Sequence, residues 1–162
     1  MIELKVDFFA SSVWIMSEIW NNNLSKFSLC DMVFDTGASM SVIDSGLAIR
    51  SGYSLKNADI VSVQVVGNTI SAKRIIMPNF KLGGIELGPI STYVVDFTEN
   101  SNTSALLGMN VIKEFKVVAD FKDKRPKPDG RDATIYLEPM FNINDKPSYE
   151  SFIPHGSRFG VW

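Results

Sequence analysis

The sequence predicts a small, mainly β domain. Three observations carry that expectation: apolar residues recur at every second position, glycine-bearing turn signals fall between the apolar runs, and helical signals are few and short. A chain of 162 residues, 45% hydrophobic and 21% charged, is large and apolar enough to bury one core and is no disordered chain.

Taken in order, Ile2, Leu4, Val6 and Phe8 alternate with Glu3, Lys5 and Asp7, the pattern of a half-buried strand. Residues 13–20 (VWIMSEIW) fit strand and helix templates equally and stay open. Phe27 to Phe34 is mostly apolar and ends in Met32-Val33-Phe34, a buried strand by pattern. Asp44 to Arg50 suits two helical turns. Val61, Val63 and Val65 alternate with Ser62 and Gln64, and Gly67-Asn68 then offers a tight turn before Thr69 to Met77. Leu82-Gly83-Gly84 marks another turn, ahead of Ile85-Glu86-Leu87. Ile90 to Phe97 and Phe115 to Phe121 read as strands, the second with Phe115, Val117, Ala119 and Phe121 on one face. Asn110 is placed to cap a short helix through Val111, Ile112 and Phe115. The run KDKRPKPDGRD after Phe121 reads as a solvated loop, Thr134 to Leu137 as one more strand, and 141–162 as a tail or partner-dependent segment. The expected organisation is 1–26 as N-terminal strand and connector, 27–122 as core, and 123–162 as loop, strand and tail.

Composition narrows the chemistry. Sixteen Lys+Arg against eighteen Asp+Glu argue against a module that binds nucleic acid by neutralising phosphates. A single cysteine, Cys30, and a single histidine, His155, leave no disulfide framework and no Cys- or His-rich metal site. No cofactor and no metal are expected, and carboxylates become the leading catalytic candidates. No apolar stretch approaches the roughly 20 residues of a membrane-spanning helix. Met1-Ile2-Glu3-Leu4-Lys5 lacks the basic start of a signal peptide, so a cytoplasmic setting without a membrane partner is expected.

The sharpest local feature is Val33-Phe34-Asp35-Thr36-Gly37-Ala38-Ser39. A carboxylate here follows a buried strand directly, a costly position unless it is hydrogen-bonded or shares a proton. Gly37 frees the backbone to fold N–H groups back toward the carboxylate, and Thr36 adds a hydroxyl. The same tripeptide also suits a plain Asx turn. About seventy positions downstream stands Ala105-Leu106-Leu107-Gly108-Met109-Asn110, an apolar run, a glycine and an Asn opening a helix.

Together the two segments resemble the retropepsin-like aspartic proteases, which pair an apolar–apolar–D-T/S-G-A/S signature with a later apolar–apolar–G–x–N/D segment. The intervening order is also similar: Ser41-Val42-Ile43, a hairpin at Gly67-Asn68, Leu82-Gly83-Gly84 and Val94-Val95-Asp96. The resemblance covers roughly residues 27 to 122. It implies an all-β acid protease fold, a retropepsin-like closed barrel. It further implies an aspartic endopeptidase in which two carboxylates share one proton, the handling of like charges that defines this enzyme class. Asp44-Ser45-Gly46 looks like a second signature, but it trails Asp35 by only nine residues, too few for a second lobe. A homodimer with one Asp35 from each subunit therefore follows.

By the resemblance, Asp35 is the catalytic acid/base and Thr36 hydrogen-bonds across the dimer axis. Gly37 lets the chain turn beside substrate, and Ala38 and Ser39 line the floor. Gly67 and Asn68 belong to the flap over an extended peptide. Leu106, Leu107 and Gly108 support the active loop, and Asn110 starts the helix. Two features depart from viral members. The flap has the single glycine Gly67, and the chain is longer at both ends, so the strand exchange that builds the viral dimer is expected to be rearranged. Val66, Ile70 and Ile76 read as core packing, with specificity pockets as the alternative. Two other functions fit the same sequence: a retropepsin-like dimerisation or peptide-binding module with little turnover, and an unrelated β-barrel binding domain in which D-T-G is only a turn.

Overall fold

Period-two patterning becomes strands nearly everywhere it occurs. The structure, a computed structural model, describes residues 2–9, 12–97, 101, 103–120 and 134–145. The elements are β1 (Ile2–Phe9), β2 (Ser12–Asn21), β3 (Lys26–Phe34), β4 (Ser41–Asp44), α1 (Ser45–Arg50), β5 (Asp59–Val65) and β6 (Asn68–Met77). There follow β7 (Phe80–Leu82), β8 (Ile85–Leu87), β9 (Ile90–Val95), β10 (Ala105–Leu107), α2 (Met109–Ile112), β11 (Phe115–Asp120) and β12 (Thr134–Pro139). The protein is all-β, with two short helices.

The open choice at 13–20 resolves to strand. Residues 14–21 pair antiparallel with β3, Trp14 opposite Val33 and Asn21 opposite Lys26. Ile15, Ser17, Ile19 and Asn21 turn inward, which is period two. Helix α1 starts where expected: the Asp44 carboxylate caps it by accepting from the Gly46 N–H at 2.9 Å.

The sheet runs β11-β12-β1-β2-β3-β10-β4-β9-β6-β5, with β7 and β8 attached beside β2. Most pairs are antiparallel, but β10 runs parallel to β3 and β4 parallel to β9. Strand β1 serves two neighbours, β12 through Ile2 to Lys5 and β2 through Val6 to Phe9. The all-β class is as expected, and closure into a barrel does not appear among the described residues. Among the described residues the hydrogen-bonded path ends at β11 and β5 and no pairing joins them. Each is the outer member of an antiparallel pair, β11 with β12 and β5 with β6.

Two apolar clusters lie on opposite faces of the central strands. Ile43 of β4, Ala105 and Leu107 of β10 and Val94 of β9 enter the main core with Met32, Phe80 and Leu137. Their alternating neighbours Val42, Leu106 and Tyr93 enter a second cluster with Ala38, Met40, Val63 and Ala72. The predicted face of β11 holds only in part. Phe115 is buried against Phe141, its ring centroid 5.6 Å away, Val117 is half-buried and Ala119 is exposed, because the strand runs out past the core. Phe121, the charged run 122–132 and His155 lie outside the described residues.

Candidate active site

Asp35 stands one residue past β3, and parallel pairing fixes where that is. Leu106 lies opposite Val33 and Leu107 opposite Phe34, so the next amide, Asp35 N–H, donates to the Leu107 carbonyl at 3.0 Å. The chain then turns back. Gly37 N–H donates to Asp35 Oδ1 at 2.9 Å, and Ala38 N–H to the Asp35 carbonyl at 3.4 Å. Gly37 does this without a left-handed backbone, since among the described residues the glycines with positive φ are Gly52, Gly67, Gly83 and Gly84.

The turn is held from the far side by the start of α2. Met109 N–H donates to the Ala38 carbonyl at 2.7 Å and Asn110 N–H to the Ser39 carbonyl at 2.9 Å. These are amides that a helix start leaves without internal partners, and the Asp35 loop supplies them. The cap position belongs to Gly108, with no side-chain cap bond, so the expectation that Asn110 caps the helix is corrected. Asn110 sits inside the helix, 1% exposed, and works as a bridge. Its Oδ1 accepts from Ser41 N–H at 2.7 Å and Ser41 Oγ at 2.9 Å, and its Nδ2 donates to the Ser91 carbonyl at 3.0 Å. Ser41 Oγ in turn accepts from Gly108 N–H at 3.1 Å. A side chain bonded inward to two strands is not available to cap its own helix.

Gly108 is demanded by close approach. A Cβ there would lie 2.3 Å from the Met40 carbonyl oxygen and 2.8 Å from Ser41 N, both backbone atoms. Leu107 is fully buried in the main core and Leu106 is buried in the second cluster, so the strand beneath Asp35 is anchored on both faces. Ala38 is wholly buried, Ser39 half-buried, and Thr36 and Gly37 exposed.

The Asp35 carboxyl is half-buried, and its pKa lies above the ordinary aspartate value. Desolvation by burial is the larger cause, partly offset by the N–H groups of Gly37 and Ala38, which favour the ionised form. Burial, with Asp31 second, pushes the Cys30 thiol to about 12, so no thiolate nucleophile competes near neutral pH. Among the described residues no cluster of three or more His, Cys, Asp or Glu side chains suits a metal ion. No helix among them is long and apolar enough to cross a membrane.

Hairpin β5–β6 overhangs the second cluster. Its last pair is Val65 with Asn68, so the turn residues are Val66 and Gly67 and the expected tip moves back by one position. Gly67 has φ 74°, the left-handed value that favours glycine at the second turn position. Asn68 opens β6, and its Oδ1 accepts from Thr69 N–H at 2.8 Å. The core-packing expectation fails for Val66, 84% exposed at the tip, and for Ile76, also exposed. Ile70 is half-buried against the second cluster. It helps line a cavity of about 230 Å³ with Val42, Val63, Val65, Tyr93 and Leu106, and Asp96 is at its wall. Ala38, three residues beyond Asp35, packs in the same cluster as Val42 and Leu106, two of the residues that line the cavity.

Sequence reasoning gives Ser41 and Ser91 no role at the site. Their signal is slight: small hydroxyl residues set within apolar strand runs, at positions where a buried polar group requires a partner.

Residues 23–111 match the family model described as aspartyl protease. The chain is also similar to a solved retropepsin-like aspartic protease from Rickettsia conorii, with a TM-score of 0.57 and 20% identity over 84% of this chain and 88% of that one. No curated protein sequence matches it significantly. With Asp35, the Gly108 contact and the flap-like hairpin placed in one sheet of this topology, the chain belongs to the aspartyl protease family and has the retropepsin-like fold.

Proposed function

We propose that the protein is an aspartic endopeptidase whose site forms when two copies each present Asp35. The observation that carries this reading is a single half-buried carboxyl, its pKa raised, on a loop fixed by α2 and open to solvent at Thr36 and Gly37. One such group is half of a proton-sharing pair. Two carboxyls face to face cannot both ionise, so one holds the proton and the other is the base.

The ionised Asp35 takes a proton from water as the water attacks the peptide carbonyl. The protonated Asp35 gives its proton to the carbonyl oxygen, and collapse of the tetrahedral species transfers a proton to the leaving amine. No covalent enzyme intermediate is needed. In this reading Thr36, exposed beside Asp35, bonds across the axis. Residues 27–122 supply this machinery. The β5–β6 hairpin covers an extended peptide, and the adjoining cavity accepts an apolar side chain.

Substituting Asp35→Asn tests the reading. The amide keeps the shape but cannot act as base, so kcat/KM is expected to fall by at least about a thousandfold with the circular dichroism spectrum unchanged. Undiminished peptide cleavage by that variant would overturn the assignment.

A further inference from the structure

Strands β4 and β9 run parallel with Asp44 opposite Val95, so their ends lie side by side. The residue after each strand is thereby brought together, and the Ser45 hydroxyl donates to Asp96 Oδ1. Two carboxylates stand at this junction and are used differently. Asp44 commits both oxygens to backbone, accepting from Phe97 N–H at 3.0 Å and from Gly46 N–H at 2.9 Å. Asp96 is exposed and oriented by the Ser45 hydroxyl. The ion pairs among the described residues, Arg74–Asp59 and Lys116–Glu138, do not involve it. Asp44 holds the chain, whereas Asp96 is held.

Asp96 stands at the wall of the cavity of about 230 Å³ shared by the central strands and the β5–β6 hairpin. Val42, Val63, Ile70, Leu106 and the Tyr93 ring make its other walls apolar. Pockets that take a whole small molecule span roughly 300–1,000 Å³, so this one suits a single side chain. Apolar walls that end at an exposed carboxylate match one kind of side chain best. Lysine and arginine lay their methylene stems along apolar surface and keep the charge in water. An apolar side chain fills the walls alone, a basic one gains the carboxylate as well, and an acidic one meets like charge. A second cavity, of about 430 Å³ between Tyr53, Asn57 and Ile76, offers no such charge, since its Arg74 and Asp59 are bonded to each other at 2.6 Å.

We infer that Asp96 is a specificity-determining residue, which selects peptides that place a lysine or arginine in this cavity and rejects those that place an acidic residue there. The inference rests on the endopeptidase reading and names a substrate class for it. The ion pair so formed faces solvent, so its effect on selection is a few-fold and weakens with salt.

The test uses the full chain as wild type, Asp96→Asn and Asp96→Lys. Each digests a random-sequence peptide pool that includes norleucine, and mass spectrometry sequences the products. Norleucine matches the lysine stem but carries no charge. At a fixed position relative to the cut, the ratio of lysine to norleucine should be about three- to fivefold higher for wild type than for Asp96→Asn. That excess should shrink at about 0.5 M salt. Asp96→Lys should reverse the preference, with glutamate favoured at the same position. Equal ratios in all three proteins, with cleavage retained, overturn the role of Asp96 and leave the endopeptidase reading standing. A ratio that falls in Asp96→Asn with neither salt dependence nor reversal in Asp96→Lys marks a packing effect and overturns the role too. Loss of all cleavage by both variants overturns selection by Asp96, since the residue would then serve the site as a whole. A wild type that cleaves no peptide in the pool overturns the endopeptidase reading and the inference with it.

Discussion

The Asp35 loop and the β5–β6 hairpin share one apolar cluster, through Ala38 on one side and Val63 and Ala72 on the other, but are held in opposite ways. The loop is tied to α2 and β10 by buried polar bonds, with Asn110 bridging Ser41 and Ser91 at 1% exposure. The hairpin is secured near its base, where Arg74 meets Asp59 and Lys73 Nζ donates to the Leu55 carbonyl at 2.7 Å. Beyond that point it carries an exposed tip, Val66-Gly67. In the proposed enzyme a carboxyl that meets a second one needs a fixed position, and a cover that admits a peptide needs to give way. Tight burial serves the first and a sparsely anchored ladder the second.

Breaking the rigid side should have the largest effect. Gly108→Ala forces a methyl onto the Met40 carbonyl, with no flexible side chain to yield. Its expected cost is about 3 kcal/mol or more, read by urea unfolding. A cost below about 1 kcal/mol would show that the loop can move away from α2.

Next comes Asn110→Ala. It strands the Ser41 N–H and the Ser91 carbonyl in the interior, and losing those partners should cost about 2–3 kcal/mol. Asn110→Asp keeps the acceptor for Ser41, and where the acid is protonated its O–H replaces the amide donor to Ser91, so there it should fall between alanine and wild type, whereas the ionised acid loses that donor.

A smaller effect comes from Asp35 itself. Its folded pKa is raised, so the native state holds a proton more firmly than the unfolded chain, and stability falls as pH rises from the unfolded value through the folded one. Asp35→Asn removes that loss. The variant should therefore melt above wild type at pH 7, with the gap closing below pH 3.8, the unperturbed value. A gap that widens on acidification would mean the carboxylate is stabilised by its surroundings.

On the hairpin side, Arg74→Ala should cost under about 1 kcal/mol, because both partners of the pair are partly exposed. Its signature is faster amide exchange confined to β5 and β6, with β3 and β10 unchanged.

Much of the rigid side was legible in residue order. Asp35 after an apolar strand, a glycine before Asn110 and the capping Asp44 are local signals with local causes. The role of Asn110 was not legible, because an Asn before apolar helical residues reads alike whether it caps its own helix or bonds inward. That choice depends on Ser41 and Ser91, 69 and 19 residues away. The pairing of β1 with β12 was hidden for the same reason. The open ends of the sheet also escaped, since period two places side chains on faces but says nothing of which strand lies alongside. The hairpin tip moved by one residue because Gly67 supplies the positive φ at the second turn position.

The central claim, that each site takes one Asp35 from each of two chains, is tested most directly by mixing. Wild type and Asp35→Asn are combined at constant total protein, equilibrated above the dimer Kd, and assayed for peptide cleavage. Mixed dimers carry one usable carboxylate, so activity should follow the square of the wild-type fraction and stand at about one quarter in an equal mixture. Activity that declines in simple proportion, with about one half remaining, would mean that each chain cleaves alone and would contradict the shared site.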